Sequence, residues 1–506
     1  MVTPTLPSEY WIDPVTRSSL EAQARSLFEE AQAMLESASQ LLSAESGLEP
    51  LTETLREFAK FSNDYFYLYK KRGDINEQQK ALEKIQRELL TLRPLLEQRR
   101  VDHYWPYLKA ADAIANDCIA MGGVQIKASK PQCLTLFEKT YHIARFVYSR
   151  VPGVAIPLAN REDPWLWMGL AHEIGHYHFW NSRPGLGDEL DGALLHGISG
   201  KMLEQGGNTP SNYASAAYQL SLWRKWKEEL FADLFGTFLL GPAYVRSLMI
   251  WLRPRLTNET ALSDDQDHPL PLLRPLIQAE ALAMLEKELD ELEAAQVKKE
   301  WQDQWAALAP NGKGFDYWLD QSLGETTVRD CVSLFPVVVS AMKSKAFNTG
   351  GEYYNSTTHA QVKEAANLLA ERNGLSENPK IRPALKLPVV WYAWKQIISD
   401  GRLNTDEPQR LTKLREWIIP IPASAVRPQK SAIAVAIAAP NEVTGPNSES
   451  FKSLVRQKKA DDPEATDEAI AERLLEDEFS TQEEAGGVYT PHSHSSPGSH
   501  SHYHPA

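Results

Sequence analysis

"REDPWLWMGLAHEIGHYHFW", residues Arg161 to Trp180, decides how the middle of this chain is read. Asp163 followed by Pro164 is an N-cap and a first-turn proline, so the stretch predicts a helix that starts there and runs to about Phe179. On that helix His172 and His176 stand four residues apart on one face, and Glu173 lies about 100° round the axis. Trp165, Met168 and Leu170 supply apolar surface that can bury it. Two neutral imidazoles on one face suit a tetrahedral Zn²⁺ about 2 Å away, and a glutamate between them can act as a base toward water at an open position. His178 projects from another face than His176 and reads as a packing or surface residue.

Such a site needs a third protein ligand. One known arrangement takes it from a histidine shortly after the second, with a glycine between, but Phe179 and Ser182 stand at those positions and exclude it. Another takes a glutamate from a later helix, with an acid four residues on that holds the first histidine by its free ring nitrogen. "EELFADLFG", residues 228–236, supplies that pair. Glu229 and Asp233 lie one helical turn apart, so Glu229 is expected to be the ligand and Asp233 to stand behind His172. Glu228 points about 100° away and is expected at the surface or in a cap.

"HEIGH" followed by "ELFAD" resembles the Glu-x-x-Ala-Asp signature of gluzincin metallopeptidases such as the membrane-bound HtpX and CAAX prenyl endopeptidase group. The continuation "ADLFGTFLLGP" is similar to the Ala-Asn/Asp-x-Phe-Ala-x-x-Leu-Leu-x-Pro run of the soluble ImmA/IrrE-type peptidases, with Gly236 where alanine is usual. "HPLPLLR", from His268 to Arg274, resembles the His-Pro-x4-Arg segment of the first group. By that analogy His268 or Arg274 stabilises an oxyanion or holds the substrate backbone. A turn-capping role for His268 and a surface ion pair for Arg274 stay open. The resemblance covers about residues 150 to 280. It implies a zincin-type catalytic core with a small sheet and an active-site helix, Zn²⁺ held by His172, His176 and Glu229, Glu173 as general base, and metalloendopeptidase action on a protein or peptide substrate. The transmembrane helices of the first group have no counterpart here, so its embedded or prenylated substrates are not carried over. The repressor substrates of the second group cannot be inferred from a zinc site.

The flanks read as helical, and the whole as mainly α (α+β). From Ser18 to about Arg100 apolar residues recur three and four apart, which predicts a helical hairpin or small bundle. Residues 101–150 also read as helical. "VPGVAIPLAN", 151–160, breaks the pattern: prolines flanking a short apolar run suggest an edge strand, where an extended substrate could pair. "SNYASAAYQLSLWRKWKEELFADLFGTFLLGP" is a second long helix closed by Gly241-Pro242, and "AEALAMLEKELDELEAAQVKKEWQDQW" a further one. "SAIAVAIAAP", 431–440, is the best late strand. Beyond about Asn441 the chain is polar and acidic and ends in histidines, which predicts disorder with one short helix around Glu468 to Phe479. The expected organisation is an N-terminal helical region 1–150, a catalytic core 151–285, a mainly helical region 286–440 and an acidic, His-rich tail 441–506.

A formal net charge of −14 argues against a general nucleic-acid-binding surface, so no nucleic-acid partner is expected. Cys118, Cys133 and Cys331 are too few and too scattered for a disulfide framework or a thiolate zinc site. The start of the sequence lacks the pattern of a secretory signal, and "CVSLFPVVVSAM" is shorter than the roughly 20 apolar residues of a membrane span. No span and a cytoplasmic location are expected. His142, His196 and His359 are lone histidines outside the site. Two rivals stay open: a regulatory or scaffold protein with a structural or degenerate zinc site, and a latent protease released by a partner. Glu173 speaks against the first, because a staple has no use for a base.

Overall fold

A computed structural model describes residues 14–419 apart from 45–47, 73–74, 124–131, 147, 150, 182–184, 207–209, 254–267, 287–292, 324–325, 348–350, 372–380 and 400–406. By internal contacts the chain divides into two units, 1–96 with 107–420, and 97–106 with 421–506. The described part of the second unit is a 3₁₀ turn, Gln98–Arg100, and the residues that follow it. The site lies in the first.

Three long helices open that unit: α1 (Pro14–Ala44), α2 (Glu49–Arg72) and α3 (Ile75–Glu97). Leu51, Leu55 and Phe58 on α2, and Leu82, Ile85, Leu89 and Leu92 on α3, are buried at helical spacing, as the apolar periodicity predicts. After α4 (Trp105–Met121) the chain departs from the helical reading of 101–150. It forms β1 (Leu134–Glu138) and β2 (His142–Ala144), which join β3 (Gly153–Pro157) in one sheet of order β1-β3-β2. Leu134 to Phe137 are buried on both faces, and a short run buried on both faces carries no period-2 signal. The sheet therefore spans the boundary expected at 150.

The same topology corrects the expected edge strand. β3 is central, parallel to β1 (Leu136 opposite Ala155) and antiparallel to β2 (His142 opposite Ala155). Pro152 precedes the strand and Pro157 is its last residue. Neither proline removes an interior N–H, so residues 153–156 can pair on both sides.

The helix opened by Pro164 also begins differently. Pro164–Leu166 form a 3₁₀ turn, Asp163 makes no side-chain capping bond, and α5 runs from Gly169 to Asn181. Tertiary bonds replace the cap. The Trp167 indole donates to the Asn160 carbonyl at 2.8 Å, and the Tyr141 hydroxyl to the Leu166 carbonyl at 2.7 Å. Trp165, Trp167, Met168 and Leu170 are all buried.

α6 (Leu186–Gly206) leads to α7 (Pro210–Leu240), which stops at Gly241, and α8 (Pro242–Leu252) starts at the next residue. The helical stretch expected over 279–305 is described as α9 (Arg274–Glu286) and α10 (Ala294–Leu308). Then come α11 (Asp316–Leu319), a two-residue hairpin of β4 (Ser322–Leu323) and β5 (Thr326–Thr327), α12 (Val328–Ser333), α13 (Phe335–Ala346), α14 (Ser356–Ala370), α15 (Lys386–Ser399) and α16 (Glu407–Ile418). Thr327 and Asp330 form a capping box at the start of α12. The fold is mainly α with a small mixed sheet. The late strand 431–440, the tail with its expected helix, and the terminal histidines lie outside the described residues. Among the described residues no helix is long and apolar enough to cross a membrane, and all three cysteines are buried and free.

α5 packs against α7, β2 and β3. Phe231, Phe235 and Phe238 of α7 meet Phe347 with ring centroids 4.8–6.5 Å apart, an aromatic wall along one face of α7.

Candidate metal centre

The approach of α5 to α7 is set by one glycine. A Cβ on Gly175 would lie 2.6 Å from Ala232 Cα and 3.0 Å from its carbonyl oxygen, so the two backbones touch. The pairs His172 with Asp233, Gly175 with Ala232 and His176 with Glu229 run in opposite order along the two helices. One turn of each therefore faces one turn of the other. Gly175→Ala should destabilise the protein by about 1–3 kcal/mol through overpacking, even though alanine gains helix propensity. A lowered midpoint of denaturant unfolding is expected. An unchanged midpoint would show that the backbones are not in contact.

Across this crossing the three expected ligands meet. His172 Nε2 and His176 Nε2 are 3.2 Å apart, and they lie 3.4 and 3.3 Å from Glu229 Oε2 and Oε1. All three side chains are buried, and one ligand atom from each falls within 4.8 Å of the others. Among the described residues no other group of three or more such side chains gathers in this way.

The outer ring nitrogens are both occupied. Asp233 Oδ1 lies 3.0 Å from His172 Nδ1, and Glu228 Oε1 lies 3.1 Å from His176 Nδ1. A histidine whose Nδ1–H donates to a carboxylate keeps its lone pair on Nε2, the tautomer a metal requires. Two such lone pairs facing one another at 3.2 Å beside a carboxylate repel unless a proton or a cation lies between them. Glu173 adds a second mark of a missing partner. It is buried, and its Oε2 has no hydrogen-bond partner, a costly state for a carboxylate. The donor set and this orphaned oxygen fit a divalent ion.

The electrostatics agree. Burial disfavours a charged His172, but Asp233 and Glu229 outweigh it and raise its pKa to about 10. His176 is raised against the same burial by Glu229 and Glu228. Glu229, penalised by burial, is nonetheless held well below the carboxylate range by His176, His172 and His268. Without a metal the cluster holds protons that a divalent ion would displace.

Asp233 is the most heavily used support. It is fully buried and takes the Arg274 Nε–H on Oδ2 at 2.8 Å. Its Oδ1 takes an Arg274 Nη2–H at 2.9 Å and the Tyr244 hydroxyl at 3.0 Å. Arg274 is thus neither free in a cleft nor paired with a surface acid. A buried guanidinium needs a counter-ion and a planar acceptor, and Asp233 provides both. His268 does come to the ligands: its Nε2 is 3.3 Å from Glu229 Oε2.

Two supports escape the sequence reading. Glu228 is not a surface or capping group but the partner of His176. The 100° step that separates it from Glu229 points it at the end of α5, where the Trp180 indole donates to the same oxygen at 2.7 Å. Tyr244, beyond the Gly241 corner, carried no signal of its own. Its only trace is Gly236, where a Cβ would lie 2.3 Å from the Tyr244 ring. His178 is buried against Phe235 with centroids 4.5 Å apart, and burial pushes its pKa down to about 3, so it is a neutral packing residue. His142 pairs with Glu138, His196 is exposed, and His359 bonds Tyr354; none joins the ligands.

No protein family, curated protein or solved structure matches this chain. Its chemistry rests on the site alone.

Proposed function

We propose that this protein is a zinc-dependent metalloendopeptidase of the gluzincin type, with Zn²⁺ held by His172, His176 and Glu229. The observation that carries the reading is the paired Nε2 atoms at 3.2 Å beside Glu229, with Oε2 of the buried Glu173 left without a hydrogen-bond partner. A zinc ion bound there supplies Lewis acidity toward a carbonyl oxygen and lowers the pKa of water. Glu173 takes the proton of the attacking water and delivers it to the departing amine. Asp233 holds the His172 imidazole in the tautomer that leaves Nε2 inward. His268, beside Glu229, is placed to donate to the developing oxyanion. Because β3 is flanked on both sides, an extended peptide is assigned to the edge strand β2, which packs against α5. Buried free thiols accord with a reducing compartment, and a cytoplasmic location belongs to the same proposal.

One contact favours a second reading. His268 lies 3.3 Å from Glu229 but outside the cluster of three; turned toward an ion it would supply a fourth donor and close the coordination into a structural staple. Metal analysis of purified variants separates the two. The peptidase reading expects one zinc per chain, lost in His176→Ala and Glu229→Ala and kept in His268→Ala. Loss of zinc from His268→Ala would favour the staple, and a wild-type chain that takes up no zinc would end both.

A further inference from the structure

The two imidazoles are supported unequally. Behind His172 stands Asp233, sealed from solvent and neutralised by Arg274. Behind His176 stands Glu228, whose side chain keeps 30 % of its surface exposed and makes no ion pair with a buried arginine. What fixes Glu228 is an aromatic clamp. Its Oε1 accepts from the Trp180 indole at 2.7 Å while lying 3.1 Å from His176 Nδ1. The Trp180 ring stacks on the His176 ring with centroids 5.6 Å apart and planes 27° from parallel. The Arg145 guanidinium, one residue past β2, lies 4.6 Å from the centroid of the same indole and covers it.

We propose that Glu228, held by Trp180, is a positioning residue that fixes the tautomer and ring direction of His176 for the metal. The inference rests on the zinc reading above. A ring with a free Nδ1 can rotate about its Cβ–Cγ bond or carry its proton on Nε2, and either state removes a donor from the ion. A carboxylate on Nδ1 excludes both and makes Nε2 more basic; loss of such a partner typically costs 10- to 100-fold in metal affinity. Trp180 matters because a partly exposed glutamate has rotamers to lose. Its N–H and stacked ring select the one that reaches His176. The arrangement differs from Asp233 in one consequential way: removing Glu228 strands no buried arginine, so its effect on the metal can be read apart from its effect on the fold.

The test measures zinc affinity of the full chain by chelator competition, with the visible spectrum of the cobalt-substituted protein as a second readout. Glu228→Gln preserves shape and still accepts from Trp180, but it offers His176 a neutral acceptor. It should bind zinc about 10- to 100-fold more weakly and shift the cobalt bands, while the metal-free protein loses much less stability than Asp233→Ala does. Glu228→Asp should recover part of the affinity, and Trp180→Phe should lose less than Glu228→Gln. Wild-type zinc binding with Glu228→Gln affinity within about twofold of it, and cobalt bands unmoved, would overturn this inference alone. A wild-type chain that takes up no zinc would overturn the metal reading and this inference with it.

Discussion

Glu173→Gln protein should keep its zinc and lose about 100- to 10,000-fold in peptide-bond hydrolysis, the range a general base supplies. The substitution is close to isosteric, and Glu173 Oε2 has no hydrogen-bond partner for an amide to disturb, so neither fold nor metal content should change. The side chain is buried on the helix that carries both histidines, so the proposed base is held by α5 itself and not by a loop. The measurement compares new peptide ends in a lysate incubated with wild type or with Glu173→Gln, after equal zinc content has been shown. Equal cleavage by the two proteins would remove Glu173 from the chemistry and with it the proposed mechanism.

Asp233→Ala should be the most destabilising single change at the site, by about 3–5 kcal/mol, because it strands the buried Arg274 without a counter-ion. Tyr244 and His172 lose an acceptor in the same step. Burial opposes the charge on Asp233, yet Arg274 and His172 hold its carboxyl well below the usual range. Denaturant unfolding measures the loss. The double variant Asp233→Leu with Arg274→Met, which removes both charges, should recover much of it. A single variant within about 1 kcal/mol of wild type would mean that Arg274 finds another partner or reaches solvent.

The convergence of His172, His176 and Glu229 was legible because it follows from local rules. Histidines four apart on a helix share a face, and so do Glu229 and Asp233. Helix α7 and its stop at Gly241-Pro242 were legible on the same grounds. What could not be read were facts of tertiary approach. Pro152 and Pro157 bracket a strand that is central, because their positions fall just outside its paired interior. β1 and β2 look like parts of a helical stretch until they pair with β3. Glu228 and Arg274 were assigned to solvent or substrate because their partners, His176 and Asp233, lie 52 and 41 residues away. The Asp163 cap failed because the buried indoles of Trp165 and Trp167 dictate how the chain enters α5.

Tyr244 and Gly236 occupy one volume and should constrain each other over evolutionary time. The phenol ring fills the volume that a methyl at 236 would occupy, and its hydroxyl reaches the acid behind His172. Burial keeps that hydroxyl protonated and therefore a donor. A lineage that gains alanine at 236 must shrink or reorient the tyrosine, and one that loses the tyrosine no longer needs the glycine. The two positions should drift only in concert, and a census of natural variants of this chain should find them changing as a pair.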